Sequence, residues 1–156
     1  MAGQESVWDY PRPPRLERSS KRVEVFVAGH LLASTTAALR VLETSHPPVY
    51  YIPLDDIDGE ALVPSDRHTY CEFKGAASYY DLVVEGATTR NAGWYYPSPS
   101  RGYEALADHV AFYPGRVERC LVDGEEVTAQ AGDFYGGWIT ADIVGPFKGQ
   151  SGTSGW

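Results

Sequence analysis

The chain has 156 residues, of which 43% are hydrophobic and 13% aromatic, and this length predicts one domain with one sizeable core. Its formal net charge of -8 opposes binding to nucleic acid or to an anionic membrane, because both need a basic face that releases counterions. The first residues lack the apolar segment of an export signal, and no later run is long enough to span a membrane, so we expect a cytoplasmic protein.

Residues 1–21 differ in composition from the rest of the chain. They are rich in Pro, Arg and Ser, and their prolines remove backbone donors and disfavour helix. Its Arg and Lys residues make the segment basic, with three acidic residues interspersed. We therefore predict a flexible N-terminal arm in solvent, followed by a β-rich domain over residues 22–126 and a Gly-rich extension packed on it over residues 127–156.

Three X-Gly dipeptides lie between runs of alternating or β-branched residues: Ala28-Gly29, Glu85-Gly86 and Asp123-Gly124. A dipeptide of this kind between two such runs is typical of a tight β-hairpin. Three hairpins predict a mostly antiparallel sheet protein.

Helical signals are few. Residues 34–45 fit either a short helix capped by Ser34 or Thr35 or a strand that leads to Glu43. Residues 103–108 offer one helical turn before a strand-like segment, and Pro and Gly interrupt most of the remainder. The fold class is therefore mostly β, or α+β with little helix.

The two cysteines, Cys71 and Cys120, are far apart in the sequence and are expected to be reduced thiols. No Cys-x-x-Cys pair is present, and the spacing of His68 and Cys71 supplies only half of a zinc site. We predict no metal and no other cofactor.

The pentapeptide CEFKG, residues 71–75, holds the strongest candidates for chemistry. A cation such as Lys74 lowers the pKa of a nearby thiol and can make Cys71 a nucleophile. Residues three apart in a strand face opposite sides, so the two side chains converge only if the chain bends, which Gly75 permits. A free cysteine between Tyr70 and Phe73 is more often a small buried hydrophobe.

Glu43 follows two apolar residues, and a carboxylate that is partly buried there needs a hydrogen-bonding or cationic partner. Lys74 is a candidate for that partner. The two residues are consistent with acid–base chemistry or with a structural ion pair.

Aromatic residues are more numerous than exposed loops would carry. Core packing accounts for most of them, but Tyr and Trp near Gly turns can also line a ligand site, where their hydroxyl and indole groups offer polar contacts. We predict four ligand-binding aromatic residues: Tyr51, Tyr80, Trp94 and Tyr96.

The order and spacing of several segments over residues 22–126 resemble the family called domain of unknown function 427, which also carries a nucleotidyltransferase-type label. The segment from residue 132 onward resembles an extension found in bacterial members of actinobacterial type. The resemblance is most specific in three places: Cys71-x-x-Lys74-Gly75, YYIP followed by Asp55 and Asp56, and Trp94-x-Tyr96-Pro97.

This resemblance implies a small, strongly curved, mostly antiparallel β domain, with the β-tent arrangement as the particular form it suggests, and no established reaction. The nucleotidyltransferase label has little support in the residues, because that chemistry needs Mg2+ on paired carboxylates and a phosphate cradle. Asp55 and Asp56 are adjacent, but no Gly-Ser motif precedes them. Glu72 also stands where many members have Pro.

The leading hypothesis is a module with one small-molecule pocket, in which Glu43, Cys71 and Lys74 accompany the aromatic residues. Its partner is a ligand of unknown identity, without nucleic acid or membrane, and homo-oligomer formation is left open. One alternative is a biosynthetic enzyme that uses Cys71 as nucleophile or Lys74 and Glu43 as acid and base. The other is a protein-interaction domain that uses the basic arm and the Gly-rich tail.

Overall fold

A computed structural model describes residues 3–131 and 136–148. Over these residues the secondary structure is almost entirely β, with helix limited to four 3-10 segments at Val7–Asp9, Leu54–Asp56, Gly59–Ala61 and Glu104–Leu106. The described part of the chain forms fifteen strands: β1 Glu5–Ser6, β2 Arg15–Arg18, β3 Val23–Val27, β4 His30–Thr35, β5 Leu39–Leu42, β6 Val49–Pro53, β7 Leu62–Cys71, β8 Gly75–Val84, β9 Ala87–Tyr95, β10 His109–Phe112, β11 Arg119–Val122, β12 Glu125–Glu126, β13 Thr128–Ala129, β14 Trp138–Ile139 and β15 Ile143–Val144. The predicted mostly β, antiparallel fold class is confirmed.

All three predicted hairpins are present, and they join β3 to β4, β8 to β9 and β11 to β12. Both residues of each X-Gly dipeptide have a positive φ, between 48° and 81°. A two-residue turn of type I′ requires this conformation at both positions. The glycine adopts it without strain, while the residue before it is held there by the paired strands.

Seven strands form the largest sheet, in the order β2-β5-β6-β10-β9-β8-β7, and all neighbours in it are antiparallel. A four-stranded sheet of order β12-β11-β3-β4 packs on one face of it. The first core lies between these two sheets. Its larger members are Val23, Val25, Leu32, Tyr50, Ile52, Leu82, Val110, Phe112 and Trp138.

The opposite face of the large sheet carries a second core. Successive residues of a strand face opposite sides, so Tyr50 and Ile52 of β6 join the first core while Tyr51 joins the second. This face bears the candidate site. Its buried members are Leu39, Val41, Tyr51, Ala77, Tyr79, Trp94, Tyr96, Tyr103, Leu106, Ala111 and Tyr113.

The segment expected to be a flexible arm is built into the fold over its described residues. β2 pairs with β5 at the edge of the large sheet, and β1 pairs with β15 in parallel. Val7 is fully buried, and the buried Arg40 forms ion pairs with Glu5 and Glu17. Composition alone suggested that this segment lies in solvent, because the residues with which it pairs lie in other parts of the chain. The interaction hypothesis loses the free basic arm on which it relied.

Two further segments settle questions that the sequence left open. Residues 34–45 contain strand β5 and not a helix, whereas the helical turn before β10 is present at Glu104–Leu106. Of the Gly-rich extension, residues 132–135 and 149–156 lie outside the described residues. No helix among the described residues is long and apolar enough to cross a bilayer.

Candidate functional site

A cavity of about 270 Å3 opens on the face of the large sheet that carries the second core; we call it the site cavity. This volume is close to the lower end of ordinary small-molecule sites, roughly 300–1,000 Å3. The residues that line it include apolar and aromatic positions of β5, β6, β8 and β9: Val41, Val49, Tyr51, Ala77, Tyr79 and Trp94. Polar lining residues lie mainly at strand ends and in loops: Glu43, His46, Thr69, Cys71, Lys74 and Gln130.

Six of the seven site residues named from the sequence line this cavity: Glu43, Tyr51, Cys71, Lys74, Trp94 and Tyr96. Tyr80 does not, because it packs against the first core and stacks on Tyr95 with ring centroids 4.4 Å apart. Neighbouring residues of a strand face opposite sides, and here it is Tyr79 that faces the cavity. Tyr79, and not Tyr80, is therefore the tyrosine of this pair that lines the site cavity.

Four rings form what we call the aromatic wall: Tyr51, Trp94, Tyr96 and Tyr113. The Trp94 ring stands nearly perpendicular to that of Tyr51, with an interplanar angle of 84°, and its Nε1 donates to the Tyr51 hydroxyl at 3.2 Å. Its centroid lies 4.5 Å from that of Tyr113. Burial raises the pKa of Tyr51, so its hydroxyl is neutral at physiological pH. Mutual contact of the rings makes the wall a preformed surface.

Gly136 also lines the cavity, and sequence reasoning did not identify it. A Cβ at this position would lie 2.2 Å from Cη2 of Trp94, which is far inside van der Waals contact. The Trp94 ring can therefore occupy its position only because residue 136 has no side chain. The two residues are distant in the sequence, so no local pattern indicates the contact.

The predicted bend after Cys71 is present. β7 ends at Cys71 and β8 begins at Gly75, where the two strands pair, and Gly75 has a φ of 106° that favours glycine. The Lys74 carbonyl accepts from the Ser100 amide at 2.9 Å, which ties the bend to a neighbouring loop. As a result, Cys71 and Lys74 line the same cavity. Cys71 is a free thiol, as is the buried Cys120.

Lys74 is the buried cation of the site, with 9% of its surface exposed. Among the described residues, no carboxylate lies within ion-pairing distance of its ammonium group and no oxygen accepts a hydrogen bond from it. Lys74 lines the site cavity, and the Cys71 side chain is its hydrogen-bond contact. The Tyr96 ring centroid lies 6.0 Å from the Lys74 Nζ.

The protonation state of Lys74 follows from its neighbours. Burial by itself lowers the pKa of an amine, but Tyr51, Cys71 and Glu43 together raise the pKa of Lys74 by more, and the net shift is upward. Lys74 is therefore an ammonium ion at neutral pH. The Cys71 side chain contributes a hydrogen bond to Lys74, and sulfur is a weak acceptor.

Glu43 lies at the edge of the site cavity with 22% of its side chain exposed. The predicted contact between Glu43 and Lys74 is not formed. Instead, Arg12 pairs with Glu43 at 3.2 Å. The sequence did not suggest this pair, because Arg12 belongs to the segment that composition assigned to solvent.

The adjacent carboxylates Asp55 and Asp56 do not line the site cavity. They lie on the 3-10 helix Leu54–Asp56, where Asp56 accepts a hydrogen bond from the Thr35 hydroxyl at 2.7 Å. Within residues 3–131 and 136–148, no group of three or more His, Cys, Asp or Glu side chains is arranged to hold a metal ion.

The fold and the cavity define a small antiparallel β protein with an aromatic, lysine-containing cavity on its largest sheet. Residues 15–123, more than half of the chain, match the model of the family described as Domain of unknown function (DUF427), and the protein belongs to this family. The match begins at the first residue of β2, within the segment that composition suggested was an arm. A comparison with curated proteins finds no match to the chain.

Proposed function

We propose that this protein binds one small organic molecule in the site cavity. The observation that carries the proposal is the combination of a preformed aromatic wall with open volume in front of it. Protein interiors are close-packed, so large rings that hold one another around an unfilled space are typical of a surface that receives a ligand. The Trp94 and Tyr113 rings suit a flat apolar body, while the Tyr51 hydroxyl and the Lys74 ammonium group suit polar atoms.

Binding is favoured over acid–base catalysis by the charge states of Lys74 and Glu43. A lysine that acts as a base or nucleophile near neutral pH needs a lowered pKa, and the pKa of Lys74 is raised. Glu43 is already paired with Arg12. Both groups are therefore better suited to hold charge than to transfer protons.

A fragment screen by ligand-observed NMR tests the proposal. Ala77 is buried on the strand that borders the cavity, so Ala77→Leu fills part of the volume without changing a polar group. Ala76→Leu is the matched control, because it adds the same side chain at the neighbouring, exposed position. We expect fragments that bind the wild type and Ala76→Leu but not Ala77→Leu. Fragments that bind all three equally would contradict the proposal.

Covalent chemistry by Cys71 is the second candidate, and it is favoured by one observation: Cys71 and Lys74 line the same cavity. Alkylation by iodoacetamide at neutral pH tests it, with Cys71→Ser as the blank. Cys120 is the internal reference, because burial raises the pKa of its thiol. A Cys71 alkylation rate no higher than that of an ordinary exposed thiol would remove the nucleophile hypothesis.

A further inference from the structure

The two oppositely charged residues that line the site cavity, Glu43 and Lys74, differ in whether they form an ion pair. Among the described lining residues, Lys74 is the one Lys or Arg, and Glu43 is the one Asp or Glu. Glu43 has Arg12 as its counter-ion, whereas the Lys74 ammonium has none among the described residues. Burial lowers the pKa of His46, so that ring is neutral near pH 7 and does not contribute charge. The cavity therefore holds one ammonium group that has no direct ion pair with a described carboxylate.

Lys74 is nine-tenths buried and positively charged, yet no described carboxylate lies within ion-pairing distance of it. No described oxygen accepts a hydrogen bond from its three donors, and its side-chain hydrogen-bond contact is Cys71. The Nζ lies 6.0 Å from the centroid of the Tyr96 ring, and both residues line the site cavity, so a ligand in the cavity would lie near this ammonium group. A ligand with a negative charge at this point supplies the missing partner.

We propose that the ligand is a small carboxylic acid with a flat apolar body, whose carboxylate pairs with Lys74. This inference rests on the proposed function. A single ammonium matches a single negative charge. A phosphate ester dianion would bring a second charge into a buried site that has no Arg fork and is also bordered by Glu43.

Titration calorimetry on the full chain with benzoate, benzamide and phenyl phosphate tests the inference. The first two probes have nearly the same shape and differ in charge. We expect benzoate to bind at least about tenfold more tightly than benzamide, and more tightly than phenyl phosphate. Lys74→Met should abolish the preference for benzoate over benzamide. Lys21→Met, at a partly exposed lysine outside the site cavity, should retain it.

Three outcomes would overturn parts of this reasoning, and they are distinguishable. Equal binding of benzoate and benzamide would overturn the carboxylate inference and leave the proposed function standing. Tighter binding of phenyl phosphate than of benzoate would overturn the choice of a single charge. Binding of neither benzoate nor benzamide at millimolar concentration would count against the proposed function itself, because the cavity would not accept even a bare ring.

Discussion

Arg12 forms an ion pair with Glu43 across 3.2 Å, and this contact links the N-terminal segment to a residue that lines the site cavity. Arg12 partly offsets the negative charge of Glu43, which also acts on Lys74. The segment that composition suggested was free in solvent thus contributes to the electrostatics of the candidate site.

Removing the Arg12 charge should weaken the binding of an anion. In Arg12→Ala, the uncompensated Glu43 carboxylate repels benzoate, and we expect its affinity to fall about two- to fivefold, the range of a partly exposed ion pair. Adding Glu43→Gln to this variant should restore the affinity for benzoate. Calorimetry on the wild type, both single variants and the double variant measures the coupling. An unchanged affinity in Arg12→Ala would contradict this role for the pair.

Benzoate binding should be insensitive to pH from about 6 to 9. The pKa of Lys74 is raised, so its ammonium group persists throughout this interval. The affinity for benzoate should fall only at pH values above the ordinary lysine pKa of about 10.4. The titratable neighbours that raise it are Tyr51, Cys71 and Glu43. Ionisation of Cys71 would also repel an anion, and Cys71→Ser is the control for that effect. A loss of affinity near pH 7 that persists in Cys71→Ser would show that Lys74 is not the cation.

Acid should loosen the N-terminal segment through Glu5. The hydrogen bond from Arg40 lowers the pKa of Glu5 below its ordinary value of 4.5. The ionised carboxylate therefore stabilises the fold at pH values above 4.5, and this contribution is lost as the pH falls through the folded-state pKa. Glu5→Gln should flatten this part of the stability profile. Urea unfolding between about pH 3 and 7 measures it, with the exposed Glu126→Gln as control. Parallel profiles for the wild type and Glu5→Gln would refute the assignment.

A methyl group at residue 136 should disturb the aromatic wall. Because the added Cβ would overlap the Trp94 ring, we expect Gly136→Ala to lose about 1–3 kcal/mol of unfolding free energy, the usual cost of overpacking. Gly59→Ala is the control, since nothing lies within 4 Å of a Cβ there. Urea unfolding compares the two variants, and equal stabilities would mean that Trp94 moves aside at little cost.

Local features of this protein could be predicted from the sequence. The three X-Gly dipeptides determined the hairpins, because the positive φ values of a two-residue turn depend on the residues at the turn itself. The bend after Cys71 followed from Gly75 for the same reason. Most residues of the candidate site could also be identified from the sequence. Polar residues flanked by apolar or aromatic ones have few stable environments in a small domain.

Three other relationships were decided only by the tertiary structure. Whether Tyr79 or Tyr80 faces the cavity depends on which side of β8 packs against the four-stranded sheet, and alternation along a strand does not reveal its phase. The partner of Glu43 is Arg12, and the space for Trp94 exists because of Gly136. Each depends on atoms that are distant along the chain and adjacent in the fold, so the sequence determined the turns and the residue types, while long-range packing decided which of them share one cavity.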